Sequence, residues 1–117
     1  MALRCLIVDD SEAFLASARG LLSAQGLEIV GLASSRAEAL RLAERLRPDV
    51  TLVDVELGVE DGLQLARELA GRVPSSRVVL ISTHPQDELG EVIADSPASG
   101  FLGKTALSAA AIAELVV

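Results

Sequence analysis

Few side chains in this sequence could do chemistry, and they follow a pattern. An acidic pair, Asp9-Asp10, comes directly after the apolar run 3–8, and a lone carboxylate, Asp54, closes the run 50–53. Ser82 and Thr83 follow the run 77–81, and Lys104 follows 100–102. Nine of the ten basic residues are arginine, so Lys104 is the one ammonium side chain in an arginine-biased composition. The two cations are not interchangeable, because one is a compact point charge and the other a broad fork. Taken singly, each feature has a plain explanation: an Asp pair caps a helix, a strand-final Asp makes a turn, and Ser-Thr is a loop. Taken together, three carboxylates, a hydroxyl and the only lysine would have to meet by accident. Three carboxylates within a few ångströms repel one another and stay ionised only if a cation joins them. Oxygen donors without His or Cys suit a hard ion. Magnesium fits, since it accepts two or three such oxygens, keeps several waters and completes its shell with phosphate oxygens. That points to phosphoryl chemistry. No phosphate loop of the P-loop pattern is present, which leaves a carboxylate that is itself the phosphoryl acceptor.

These residues can meet only if the elements bring them to one edge. Short apolar runs rich in Val, Ile and Leu recur at 3–8, 27–32, 50–53, 77–81 and 100–102, each followed by a segment of helical spacing. Phe14, Leu15, Ala18, Leu21 and Leu22 form the inner face of a first helix that Gly26 ends. Ser35 and Glu38 make a capping box for a second, which Pro48 stops. A third fits Gly62 to Ala70, and a weakly written fourth lies between Pro85 and Pro97 with Gly90 inside it. The last starts after Thr105, read as its N-cap. Near-continuous apolar strands separated by helices predict one α/β domain, a doubly wound parallel sheet covered on both faces. In such sheets ligands sit beyond the carboxyl ends of the strands, where the candidate residues stand.

Composition narrows the choice further. The chain has 117 residues, half of them apolar, which suits a single self-sufficient core. A net charge of −7 repels phosphodiester backbones, so nucleic-acid binding by this segment itself is not expected. No apolar run approaches the ~20 residues that span a bilayer and no signal-peptide pattern opens the chain, so the expected address is the cytoplasm. Cys5, the single cysteine, reads as a small buried hydrophobe.

Five signals then fall into one order. Leu6-Ile7-Val8-Asp9-Asp10, Leu52-Val53-Asp54, Asp61-Gly62, Ser82 after Val79-Leu80-Ile81, and Gly100-Phe101-Leu102-Gly103-Lys104 together resemble the receiver domain of two-component response regulators. The resemblance covers residues 1–117 and implies a five-strand, five-helix CheY-like (flavodoxin-like) fold with strand order 2-1-3-4-5. It implies that Asp54 is the phosphoacceptor, taking its phosphoryl group from a sensor histidine kinase. Mg²⁺ would be held by Asp9, Asp10 and Asp54 with the main-chain carbonyl of Glu56, Asp10 being the direct ligand of the pair. Lys104 would pair with a phosphoryl oxygen, Ser82 would donate to another, and Phe101 would be the aromatic that turns inward as Ser82 moves. Such a domain is a switch rather than a turnover enzyme, and neither nucleic acid nor membrane is its own partner; beside the kinase, a second copy of the chain is a candidate partner. A magnesium-dependent aspartyl phosphatase is disfavoured, since those enzymes want an Asp where Glu56 stands.

The chain also departs from the pattern. Gly58 and Thr105 stand where many receivers have proline, and Glu56 and His84 occupy positions that flank the attacking water in the family. The 100–105 stretch is nearest to receivers of LuxR-type transcription regulators, whose DNA-binding domain lies further along a longer chain. The expectation is therefore either a segment of such a regulator or a free-standing receiver. A pseudo-receiver acting only through protein contacts is the alternative, against which the intact acidic, hydroxyl and lysine set argues.

Overall fold

The computed structural model describes residues 2–83, 90–91 and 93–116. Five strands, β1 (Arg4–Val8), β2 (Glu28–Ala33), β3 (Val50–Asp54), β6 (Arg77–Ser82) and β7 (Gly100–Gly103), form one sheet in the order β2-β1-β3-β6-β7. All four neighbouring pairs are parallel. Counting only these five, the order is 2-1-3-4-5, as the resemblance implied. The chain leaves β1 for the edge strand β2 and then crosses back to β3, so the winding reverses between β1 and β3. Their carboxyl ends lie side by side, with Val8 level with Val53.

Alternation along the strands explains why both faces are covered. Leu6, Val8, Val53, Val78 and Leu80 pack under helices α2 (Arg36–Leu46) and α3 (Gly62–Arg72). Their strand neighbours Cys5, Ile7, Leu52, Val79 and Ile81 pack under α1 (Glu12–Ala24) and the C-terminal helix Ala109–Val116. β1 and β3 are buried almost throughout, at about 1.5–3 kcal/mol for each large apolar side chain removed from water. Burial pushes the Cys5 thiol up to about 12, which makes it an inert hydrophobe.

Local signals mostly act as their chemistry dictates. Ser11 Oγ accepts from Phe14 N at 3.2 Å to start α1, and the helix closes through Gly26 at φ +99°. Ser35 accepts from Glu38 N at 3.3 Å, while Glu38 reaches back to Ser34 N at 2.8 Å. Asp61 caps α3 through Leu63 N at 2.9 Å.

Two expectations need correction. Thr105 is not the cap of the last helix: Lys104–Ala106 is a 3₁₀ turn, Leu107 dips into the core, and Ser108 Oγ accepts from Ala111 N at 3.0 Å. The alanine-rich run hides this break, because Leu107 keeps the apolar spacing while its backbone is extended. The second difference is a small antiparallel hairpin, β4 (Glu56–Leu57) with β5 (Glu60–Asp61), directly after β3. Gly58 turns it at φ +63°, which proline, locked near −65°, cannot adopt. Five helices were expected, and four are complete among the described residues. Of the fourth predicted one, residues 84–89 and 92 lie outside them, while Gly90, Glu91, Ile93 and Ala94 have helical backbone. No helix among the described residues is long and apolar enough to cross a membrane.

Candidate functional site

The switch point gathers the acidic residues. Asp9, Asp10 and Asp54 each offer a carboxylate oxygen, and these oxygens lie within 4.8 Å of one another. Asp9 is fully buried, Asp54 almost so, and Asp10 is exposed. Backbone amides fix the two buried carboxylates: Ser11 N donates to Asp9 Oδ1 at 2.8 Å and Glu56 N to Asp54 Oδ1 at 3.0 Å. Lys104, carried in from the end of β7, places its ammonium 2.5 Å from Asp9 Oδ2 and 3.1 Å from Asp54 Oδ2. The sequence-predicted acid pair, acceptor and lysine therefore form one cluster.

Charge balance sets the electrostatics. Burial pushes the Asp54 carboxyl up to about 6 and the Asp9 charge adds to this, while hydrogen bonds from Glu56 N–H and Lys104 oppose it. Partial burial alone would lower the Lys104 ammonium, but its contacts with Asp9 and Asp54 outweigh that and hold it above its ordinary pKa. One lysine does not neutralise three carboxylates. Asp9 Oδ2 is buried and faces the Lys104 ammonium. An oxygen-only, net-negative cluster of two buried carboxylates and one exposed one fits a small hard cation such as Mg²⁺.

The surrounding backbone is built close to this cluster. A Cβ at Gly62 would stand 1.8 Å from the carbonyl oxygen of Asp54, so only glycine lets α3 begin against the end of β3. A Cβ at Gly58 would meet Asp10 Oδ2 at 3.3 Å, which places the hairpin turn beside the exposed ligand candidate. The same hairpin is tied outward: Glu60 Oε1 accepts from Arg36 N at 2.8 Å, and the Arg36 guanidinium pairs with Glu68 of α3.

Ser82 ends β6, is buried, and lies level with Gly103 just before Lys104. Thr83 is exposed. Ser82 shares strand parity with Leu80, whose side packs under α2 and α3, and Phe101 is half-buried against that same face. Ser82 and Phe101 thus lie on neighbouring strands over one side of the sheet. Glu56 is exposed on β4, and His84 falls outside the described residues. One residue at the site escaped the sequence reading: the ring of Phe14 lies 4.4 Å from the Lys104 ammonium. Its signal was only that the chain has two aromatic residues in all.

Known proteins agree with this arrangement of fold. The family model described as the response regulator receiver domain matches residues 5–116. A protein-glutamate methylesterase/protein-glutamine glutaminase of Alkalilimnicola ehrlichii is 36% identical over 107 residues, covering 89% of this chain and 27% of that protein. Response regulator GacA of Pseudomonas viridiflava is 33% identical over 115 residues, covering 97% of this chain and 52% of that one. The chain therefore spans about half, or less, of the curated relatives it matches. Among solved structures, the signal receiver domain of NarL from Mycobacterium tuberculosis superposes with a TM-score of 0.85 at 29% identity, over 97% of this chain and 96% of that one. With the family pattern running from β1 to the C-terminal helix and the sheet order in agreement, this chain belongs to the response regulator receiver domain family.

Proposed function

We propose that residues 1–117 act as one phosphoacceptor switch, in which Asp54 takes a phosphoryl group from the phosphohistidine of a sensor kinase. The observation that carries this reading is the position of Asp54: at the end of a central strand, almost buried, with Lys104 on one carboxylate oxygen and a backbone N–H on the other. Attack by an Asp54 oxygen forms the O–P bond as the donor's N–P bond breaks, and the imidazole leaves. Such a transfer needs placement and charge neutralisation more than covalent machinery. Asp9, Asp10 and Asp54, with the Glu56 carbonyl, would hold Mg²⁺, which when bound neutralises charge on the phosphoryl oxygens. Lys104 serves another of those oxygens, and Ser82 donates to a third. The common face of Ser82 and Phe101 supports a coupled movement of the two, by which a surface is remade for a partner or a second copy. The output of the switch is transcriptional in this reading, through a DNA-binding domain outside these residues, as the Gly100–Lys104 stretch suggests.

Acetyl phosphate with Mg²⁺ tests the assignment. Intact mass should show one added phosphoryl group on the parent chain and none on Asp54→Asn. Labelling of the variant at the parental level would put the acceptor elsewhere.

A further inference from the structure

We infer that Phe14 is a positioning residue for phosphoryl transfer: its ring face holds the Lys104 ammonium in place without consuming any of its hydrogen-bond donors. The inference rests on the function proposed above. The ammonium has three N–H bonds, and its close partners among the described residues are two carboxylates and a ring. Asp9 Oδ2 and Asp54 Oδ2 stand at 2.5 and 3.1 Å, and the Phe14 ring centroid at 4.4 Å. The lysine side chain is only 15% exposed, and the Phe14 ring covers one flank of its ammonium. The backbone of Phe14 is fixed at the start of α1, where its N–H donates to Ser11 Oγ, and its side chain packs against the apolar cluster beneath that helix.

The type of side chain matters. A carboxylate or amide at this position would bind the ammonium through a hydrogen bond and compete with an arriving phosphoryl oxygen. A leucine would fill space but exert no pull on the charge. An aromatic face attracts a cation through its quadrupole within about 6 Å of the centroid and accepts no strong hydrogen bond. The ammonium is therefore kept at the mouth of the site with its donors free to turn from the carboxylates to the phosphoryl group. The chain has two phenylalanines and no Tyr or Trp, yet one of them lies against its only lysine. Core packing alone asks for no such pairing, and Phe14 is only partly buried at the margin of the α1 cluster.

Fluorination of the ring separates attraction from packing. With one, two and three fluorines on Phe14, introduced as unnatural residues in the whole chain, the rate of phosphorylation at Asp54 by acetyl phosphate should fall stepwise. The full loss should be about fivefold, the size expected for a cation–π contact near a partly exposed site. Phe14→Leu should lose as much, and Phe14→Tyr should keep the parental rate. Melting temperature and Asp54→Asn background serve as controls. A flat rate across the fluorine series, with the parent labelled normally, would overturn the inference and leave the proposed function standing. A parent that takes no phosphoryl group would overturn both.

Discussion

Lys104 holds two carboxylates together, and in the proposed transfer it would also meet a phosphoryl oxygen, tasks that suit a compact ammonium better than a fork. It bridges Asp9 and Asp54 from a largely buried position at the end of β7. Arginine would keep the charge, but its planar guanidinium prefers to clamp one carboxylate through two parallel bonds. We therefore predict that Lys104→Arg folds and retains the metal but slows phosphorylation of Asp54 by about tenfold or more, given that removing one well-aimed electrostatic donor from an enzyme site costs about 10²–10³ in rate. Stopped-flow with a small phosphodonor measures this; a parental rate would mean that charge alone suffices. Asp10 offers the opposite case. It is exposed and nothing else in the described structure depends on it as a hydrogen-bond acceptor, so Asp10→Ala should weaken Mg²⁺ binding by calorimetry while leaving the metal-free melting temperature nearly unchanged.

At the scale of elements, the tightest joint is the one between β3 and α3. Gly62 lets the first turn of the helix touch the carbonyl of Asp54, where a methyl group would stand at 1.8 Å. Gly62→Ala should therefore push the helix or the strand end away, with a loss of about 1–3 kcal/mol or more and weaker Mg²⁺ binding. Gly71, in the same helix with nothing within 4 Å of its added methyl, is the control: Gly71→Ala should stabilise by about 0.5–1 kcal/mol. Denaturant unfolding of the pair reads both signs. This joint also marks how far the sequence alone could be read. β1, β3 and β6 were legible because strands buried on both faces must be apolar runs, and Asp9, Asp54 and Ser82 followed directly from their ends, as Lys104 did from the end of β7. The strand order was not legible from periodicity and came from the resemblance. The hairpin at Glu56–Asp61 was missed since two-residue strands carry no period. Thr105 was mistaken for a cap because two hydroxyls, at 105 and 108, flank the same alanine-rich run, and only the inward turn of Leu107 chooses between them. Phe14 fits the apolar face of α1 equally well whether or not a lysine from β7 lies over it.

For the molecule as a whole, the acidic cluster carries a pH-dependent cost that a bound cation would relieve. Without metal, the folded-state pKa of Asp54 stands at about 6, against about 3.9 in an unfolded chain. A raised carboxyl contributes stability that is complete below about pH 4, where both states hold the proton. That contribution is lost as pH rises through about 6, because the folded state must then carry a nearly buried charge. Mg²⁺ binds the ionised form, so it must displace the proton at low pH and meets no such competition above about pH 7. The stabilisation by metal should follow the same titration. At a concentration ten times its dissociation constant, a ligand specific for the folded state adds about 1.4 kcal/mol, roughly 5 °C for a domain of this size. We predict that the Mg²⁺-induced rise in melting temperature is close to this value at pH 7.5 and shrinks towards zero at pH 5, with its midpoint near pH 6. Asp54→Asn should lose that pH dependence while keeping a smaller rise from Asp9 and Asp10. Scanning calorimetry with and without metal across this range decides the matter. A rise independent of pH would mean that Asp54 is already ionised in the metal-free fold, with Lys104 alone able to hold its charge.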